Sequence, residues 1–437
     1  MTANLRNQRN LSRRKFLKYT AAGAAMATVG LPVAEAARRV KGLPKPHLSG
    51  INHIVVVCME NRSFDHFAGW IPGADGRQAG LTYTDETGAA FSTYPLAPGD
   101  PAVDDYQGCA HPDPDHSYEG GRVEYNNGAC DGWLRAGNND LYAIGYYTQD
   151  DLPFFAGAAN RWTSCDRFFS GIMAGTYPNR FYLNAAQTDR LSNTLDISTL
   201  PTIWDRLAAK SLRGKYYFSD VPFLALWGLK YLSVLGHVSE FFADCAAGDL
   251  PAVSYVDPRF LGEQQGLSND DHPHADIRNG QVFLNEIYNA VVNSPNWPNT
   301  VLVITYDEWG GFFDHVPPPR APIPPASAAA GDRDGLLGFR VPTFIVSPWS
   351  PAVVSHGVFD HTSILRMIEW RWHIDPLTIR DATANNLATA LDFSRRNATA
   401  PAFAVPPGFF GTACPLTEIV PNKFDRLAEL ARALGII

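Results

Sequence analysis

Two adjacent carboxylates, Asp307 and Glu308, end an apolar run, Val301 to Ile304, that continues through Thr305 and Tyr306. Trp309 and a glycine pair, Gly310-Gly311, follow. Neighbouring ionised carboxylates repel each other, and a cation between them relieves that repulsion. A second apolar run, Ile51 to Met59, ends in Glu60-Asn61. Glu60 could bind a cation, and Asn61 could bind the same cation or donate to an anionic oxygen. Both pairs also fit a plainer description, as solvated strand ends or the start of a helix. A third stretch, Ser170 to Arg180, carries close-set glycines and then Thr176-Tyr177-Pro178. The Thr176 hydroxyl could cap a helix, or it could act as a nucleophile. The second role needs a metal or a base to remove its proton.

Histidines supply the remaining chemistry. Cys109 to Tyr118 holds His111, Asp113, Asp115 and His116 in a short span. It could give a metal ligand, a phosphate contact or an ordinary surface turn. Asn269 to Asp276 sets His272 among acids that could orient its ring. Phe359-Asp360-His361-Thr362-Ser363 is already a good helix start, so His361 needs no further role.

The elements that must hold these groups read as α/β. Ile51–Met59 and Val301–Ile304 are near-continuous apolar runs, as expected of strands covered on both faces. Lys215–Ser219, Ala252–Val256 and Val341–Trp349 read as further strands. Helices are expected at Phe181–Ala186, Ile203–Leu212, Gly280–Val292, Ile364–Trp372 and Phe424–Ile437. Open α/β sheets bind ligands beyond the carboxyl ends of their strands, where both acidic pairs fall. Residues 70–160 and 312–340 are rich in glycine, proline and aromatics and read as long loops over the mouth of the sheet. There are no repeats, no Walker loop and no dinucleotide fingerprint.

The chain has 437 residues, of which 45% are hydrophobic and 18% charged, with 36 glycines and 33 prolines. That suits ordered loops on one compact sheet. Ser12-Arg13-Arg14-Lys15-Phe16-Leu17-Lys18 followed by an alanine-rich apolar stretch and Ala34-Glu35-Ala36 reads as a cleavable twin-arginine export signal over residues 1–36. Its apolar core is short for a membrane span. Residues 37–49 read as a linker and 50–437 as a single catalytic domain. Removal of the signal leaves 30 basic and 43 acidic residues, a formal balance of −13. An acidic surface argues against nucleic acid and against electrostatic docking on anionic lipid. The chain is therefore expected in the periplasm or secreted. Of six cysteines, Cys109 and Cys130 are the expected disulfide pair, and Cys58 the expected buried hydrophobe.

Taken together, Glu60 to His66, Thr176 to Arg180, Asp271-His272-Pro273, Tyr306 to His315, Arg340 to Thr343 and Ser347-Pro348-Trp349 resemble the phosphoesterase family. That family holds bacterial and plant phospholipases C and bacterial acid phosphatases. The resemblance implies an alkaline-phosphatase-like three-layer α/β/α sandwich with a mostly parallel central sheet. It implies a metal held by Glu60, Asn61, Thr176, Asp307 and Glu308, with Thr176 as nucleophile. The metal could be Ca²⁺, Mg²⁺, Mn²⁺ or Zn²⁺. His116 and His272 would contact the phosphate or protonate the leaving group, and His315 matches the motif without a defined role. Trp309 departs from the family, which usually has histidine there. The expected substrate is a phosphate ester, phospholipids being among the candidates, with at most transient contact with a membrane surface. An acid phosphatase acting on monoesters and a non-catalytic metal-binding protein are the competing readings. A sulfatase is disfavoured, because threonine cannot be oxidised to formylglycine.

Overall fold

The structure is a computed structural model that describes residues 42–415 and 422–437. The expected export signal lies outside them. Eight strands form the central sheet: β1 (His53–Met59), β2 (Thr163–Cys165), β3 (Gly214–Phe218), β4 (Leu235–His237), β5 (Val253–Val256), β6 (Thr300–Tyr306), β7 (Thr343–Val346) and β8 (Val354–Ser355). Their order is β8-β2-β7-β6-β1-β5-β3-β4. All neighbours run parallel except β7, which is antiparallel to both β6 and β2.

The two most apolar strands are the central ones. Ile54 to Val57 and Val301 to Ile304 are buried throughout, as strands covered on both faces should be. They pair in register from His53 with Thr300 to Met59 with Tyr306. Both chains therefore run out of sheet at one level, and Glu60-Asn61 and Asp307-Glu308 emerge side by side.

Helices cover both faces. They are α1 (Phe64–Ala68), α2 (Pro153–Arg161), α3 (Thr176–Ala185), α4 (Ile203–Ala209), α5 (Val238–Ala247), α6 (Ile277–Val292), α7 (His361–Trp372) and α8 (Lys423–Ala433). On one face Phe67 of α1 and Phe155 of α2 meet Tyr306, and α6 packs beside α2 and α5. On the other, Trp204 of α4 meets Tyr255, whose hydroxyl donates to the carbonyl of Leu183 in α3. Helix α7 packs on α3. Strand alternation separates the two sets. The result is the expected three-layer sandwich. Among the described residues no helix is long and apolar enough to cross a membrane.

Several expectations need correction. Cys109 is bonded to Cys414, 305 residues away, and Cys130 is a free buried thiol. The loop between 70 and 160 contains a hairpin of Thr82–Thr84 with Ala90–Ser92, a helix at Gly120–Tyr125, and α2. Helix α3 begins at Thr176 rather than at Phe181, with Gly175 as its N-cap. Pro178 is tolerated because the first-turn N–H groups have no partner inside the helix. Cys58 is buried and free, as expected.

Candidate active site

The site is built where β1 and β6 end. The Asp307 N–H donates to the carbonyl of Met59, and the Arg62 N–H to that of Glu308. Asn61 is held in the left-handed region at φ 55°, with its N–H donating to Asp307 Oδ1 at 3.1 Å. Asparagine tolerates that region better than other side chains do. Gly310 (φ 64°) permits the crossing, since a Cβ there would lie 2.2 Å from the carbonyl oxygen of Asn61.

Helix α3 aims two residues at this crossing. Thr176 Oγ1 donates to Glu60 Oε2 at 3.3 Å. One turn on, the Arg180 guanidinium donates to Glu60 Oε1 at 2.9 Å, to Asp257 Oδ1 at 3.0 Å and to the carbonyl of Cys58 at 3.0 Å. Its Nε lies 3.5 Å from Asp307 Oδ2. Lys423, the first residue of α8, brings its ammonium 3.0 Å from Glu60 Oε2, at an angle that makes it an ion pair rather than a hydrogen bond. Glu60, Asn61, Thr176, Asp307 and Glu308 are all fully buried.

His116 closes one side. Its Nδ1 faces the carbonyl of Pro114 at 2.7 Å, which fixes the proton there because a carbonyl only accepts. Nε2 is left as a lone pair, 3.4 Å from Asn61 Nδ2 and 3.7 Å from Glu308 Oε1. Burial pushes this imidazole below its ordinary pKa. His272 Nδ1 is tightly bonded to Glu263, and its Nε2 lies 3.5 Å from Asp113 Oδ2. The other oxygen of Asp113 is 3.9 Å from His116 Nδ1. A cleft of about 430 Å³ is lined by Asp113, His116, Asn193 and Gly175, the residue before Thr176, among others.

His315 lies elsewhere. Its side chain contacts Asp65 at 2.5 Å and Asp75 at 3.2 Å, with Arg340 nearby. Asp65, Asp314 and His315 are spaced closely enough to hold a cation. However, Arg340 already bonds both carboxylates, at 3.1 Å to Asp65 and 3.0 Å to Asp314. Trp309 turns into an apolar cluster and donates to the buried Glu124 at 2.8 Å.

The Glu60 cluster also offers open donor atoms, although Arg180 and Lys423 already face Glu60 and Arg180 lies 3.5 Å from Asp307 Oδ2. Asn61 Oδ1, Asp307 Oδ2 and Glu308 Oε1 are buried without a hydrogen bond, beside the Glu60 carboxylate and the Thr176 hydroxyl. Burial and then repulsion from Glu60 push Asp307 well up, and burial and then Asp307 do the same to Glu308. For Glu60 burial is overcome by Lys423 and Arg180, which hold it at about 2. Three buried acids against two fixed cations, with open oxygen atoms between them, is a donor set suited to a hard divalent ion.

Sequence reasoning assigns no role to Arg180, although a helix beginning at Thr176 puts the two on one face. It also misses Lys423 and Asp257, whose only signal is three-dimensional.

The buried acids set a pH dependence for stability. Burial raises Asp271 from 3.8 to about 7, despite a 2.6 Å hydrogen bond from Tyr306. Between those values the folded chain holds a proton that the unfolded chain has released, so stability falls as pH rises through that window. Asp271→Asn, at a left-handed position (φ 71°) that asparagine tolerates, should flatten the slope of unfolding free energy between about pH 4 and 7. An unchanged slope in urea titrations across that range would contradict this.

The family model for the phosphoesterase family matches residues 51–375, and that for the twin-arginine translocation pathway signal sequence matches residues 10–30. Phospholipase C A of Mycobacterium tuberculosis is 31% identical, over 94% of this chain and 91% of that protein. Non-specific phospholipase C1 of Arabidopsis thaliana is 32% identical, over 79% of this chain and 72% of that protein. Among solved structures, an alkaline phosphatase superfamily protein from Vibrio parahaemolyticus is 10% identical, over 82% of this chain and 77% of that one, at a TM-score of 0.38. The lipoteichoic acid synthase LtaP from Listeria monocytogenes is also 10% identical, over 92% and 95%, at 0.39. The chain belongs to the phosphoesterase family.

Proposed function

We propose that this chain is an exported, metal-dependent hydrolase of phosphate esters, of phospholipase C type, working through a phosphothreonine on Thr176. One observation carries the reading. The Thr176 hydroxyl bonds a buried carboxylate in a cluster whose Asn61, Asp307 and Glu308 oxygens lack hydrogen-bond partners. Glu60, Asn61, Thr176, Asp307 and Glu308 would hold the ion. When bound, it would lower the proton affinity of the Thr176 hydroxyl and neutralise phosphate charge.

The chain's own groups define the rest. Thr176 Oγ1 forms the bond to phosphorus as the bond to the leaving alcohol breaks. Its proton leaves to water, while Glu60 Oε2, kept ionised by Lys423 and Arg180, accepts the hydroxyl hydrogen bond and orients it. Asn61 Nδ2 and the positive end of the α3 dipole face the developing negative charge. His272, oriented by Glu263, supplies the proton to the leaving oxygen. His116, with Nε2 bare, draws the proton from the water that then releases phosphate and restores the Thr176 hydroxyl. His315 is outside this scheme.

The twin-arginine signal supports a periplasmic or secreted location. Phosphate monoesters, phosphorylcholine diesters and phospholipids, each assayed with and without a chelator, test the reading. Hydrolysis that falls at least about 100-fold on chelation and returns with a divalent ion is expected. Activity indifferent to chelation would refute the metal. Hydrolysis of monoesters alone would move the assignment to an acid phosphatase.

A further inference from the structure

The C-terminal part of the chain is tied across the site. Cys414 is bonded to Cys109, and its N–H donates to the Gln264 carbonyl at 2.9 Å. Gln107 Nε2 donates to the Thr412 carbonyl at 2.7 Å. Gly266 leaves room for the crossing, since a Cβ there would lie 2.5 Å from the Thr412 oxygen. Farther on, Asn422 Nδ2 donates to Glu263 Oε2 at 3.1 Å, on the carboxylate that orients His272. The Tyr177 hydroxyl, next to Thr176, donates to the Lys423 carbonyl at 2.6 Å. Phe424 stacks on Phe260 at 3.8 Å, and Arg180 lies over that same ring. Lys423 shares Glu60 Oε2 with the Thr176 hydroxyl.

Resting on the proposed reaction, we infer that residues 412–415 and 422–433 act as a strap that completes the active site, with Lys423 as a fixed cation for the phosphoryl group and the Cys109–Cys414 disulfide holding the strap in place. The ammonium is buried beside the nucleophile and shares an acceptor with it, so a phosphoryl group on Thr176 would come within its reach. A bound ion would neutralise only part of the charge of a phosphate, and the Lys423 ammonium would offset charge on the remaining oxygens. The holding bond matters because a twin-arginine substrate folds in a reducing compartment, where this disulfide does not persist. The strap would then be loosely held until export, and full turnover would appear only after oxidation.

The test uses the full chain with a divalent ion supplied, p-nitrophenyl phosphate and p-nitrophenyl phosphorylcholine as substrates, and hydrogen exchange of residues 422–433 as a readout apart from activity. Lys423→Met should lower kcat about 10²–10³-fold, with little change in KM and with exchange protection kept. Lys423→Arg should recover at least about ten-fold of that loss, which a purely structural role would not predict. The Cys109→Ser/Cys414→Ser variant, and wild type treated with thiol, should lose protection over 422–433 and lose turnover in parallel. A kcat for Lys423→Met within about three-fold of wild type would overturn the role of the ammonium. Unchanged protection after reduction would overturn the strap. If wild type hydrolyses neither ester, the phosphoesterase reading fails, and the exchange result still decides whether the disulfide holds the segment.

Discussion

Thr176→Ala should lower turnover of any phosphate ester by roughly 10⁴-fold or more, because the variant lacks the atom proposed to form the covalent bond. That corresponds to about 5.5 kcal/mol of lost barrier reduction. Stability should change little. The hydroxyl makes one hydrogen bond, of 3.3 Å, to Glu60, and Glu60 keeps Arg180 and Lys423 as partners. Losing one such bond costs about 1 kcal/mol. Thr176→Val, which preserves shape, should be as inactive as Thr176→Ala, so a cavity is not the cause. Thr176→Ser should keep substantial activity, since a primary hydroxyl can reach the same position. The check is single-turnover hydrolysis followed by acid quench, with wild type and the serine variant trapped as phosphoproteins and the alanine variant not. Turnover by Thr176→Ala within about ten-fold of wild type would end the nucleophile assignment, whatever the family resemblance.

The parts of this site that can be read from the sequence are those written in local pattern. The apolar, mostly β-branched runs Ile54 to Val57 and Val301 to Ile304 mark β1 and β6 as buried strands, and acids soon after them mark the end where open α/β sheets bind ligands. What pattern does not carry is register. Only the pairing of Met59 with Tyr306 places the two acidic tails at one level. The antiparallel course of β7 is also hidden, because Thr343 to Val346 has the same apolar composition whichever way it runs. The disulfide escapes for a related reason. Cys109 and Cys130 are neighbours in sequence, but loop closure costs grow only slowly with length, so a partner 305 residues away is no less accessible to a folded chain. Lys423 begins an amphipathic helix whose apolar face explains itself by packing, and nothing in that periodicity points to Glu60. Arg180 is nearer to legible. Four residues after Thr176, it needs only the correct helix start to share its face.

Arg180→Met should destabilise the fold by about 3–5 kcal/mol, the cost of removing one partner from a buried ion pair. Arg180 is 1% exposed, and its guanidinium joins three strand ends: Glu60 after β1, Asp257 after β5 and Asp307 after β6. It also satisfies the Cys58 carbonyl within the sheet. Burial already lifts Asp257 to about 6 with the guanidinium present. Without it, that carboxyl would take up a proton at neutral pH, and Glu60 would depend on Lys423 alone. Arg180→Lys should recover little, because one ammonium cannot match a planar fork donating to three acceptors. The loss would be read as a shift in the urea midpoint at constant slope. A second carboxylate change separates structure from chemistry. Asp257→Asn in the Arg180→Met background should restore part of the stability, since it removes the cost of protonating a carboxyl that the unfolded chain leaves ionised, but should restore none of the turnover, since Glu60 remains misheld. If Arg180→Met lost less than about 1 kcal/mol, the arginine would not be what binds the strand ends together, and the packing of α3 on the sheet would have to account for how Thr176 is held against Glu60.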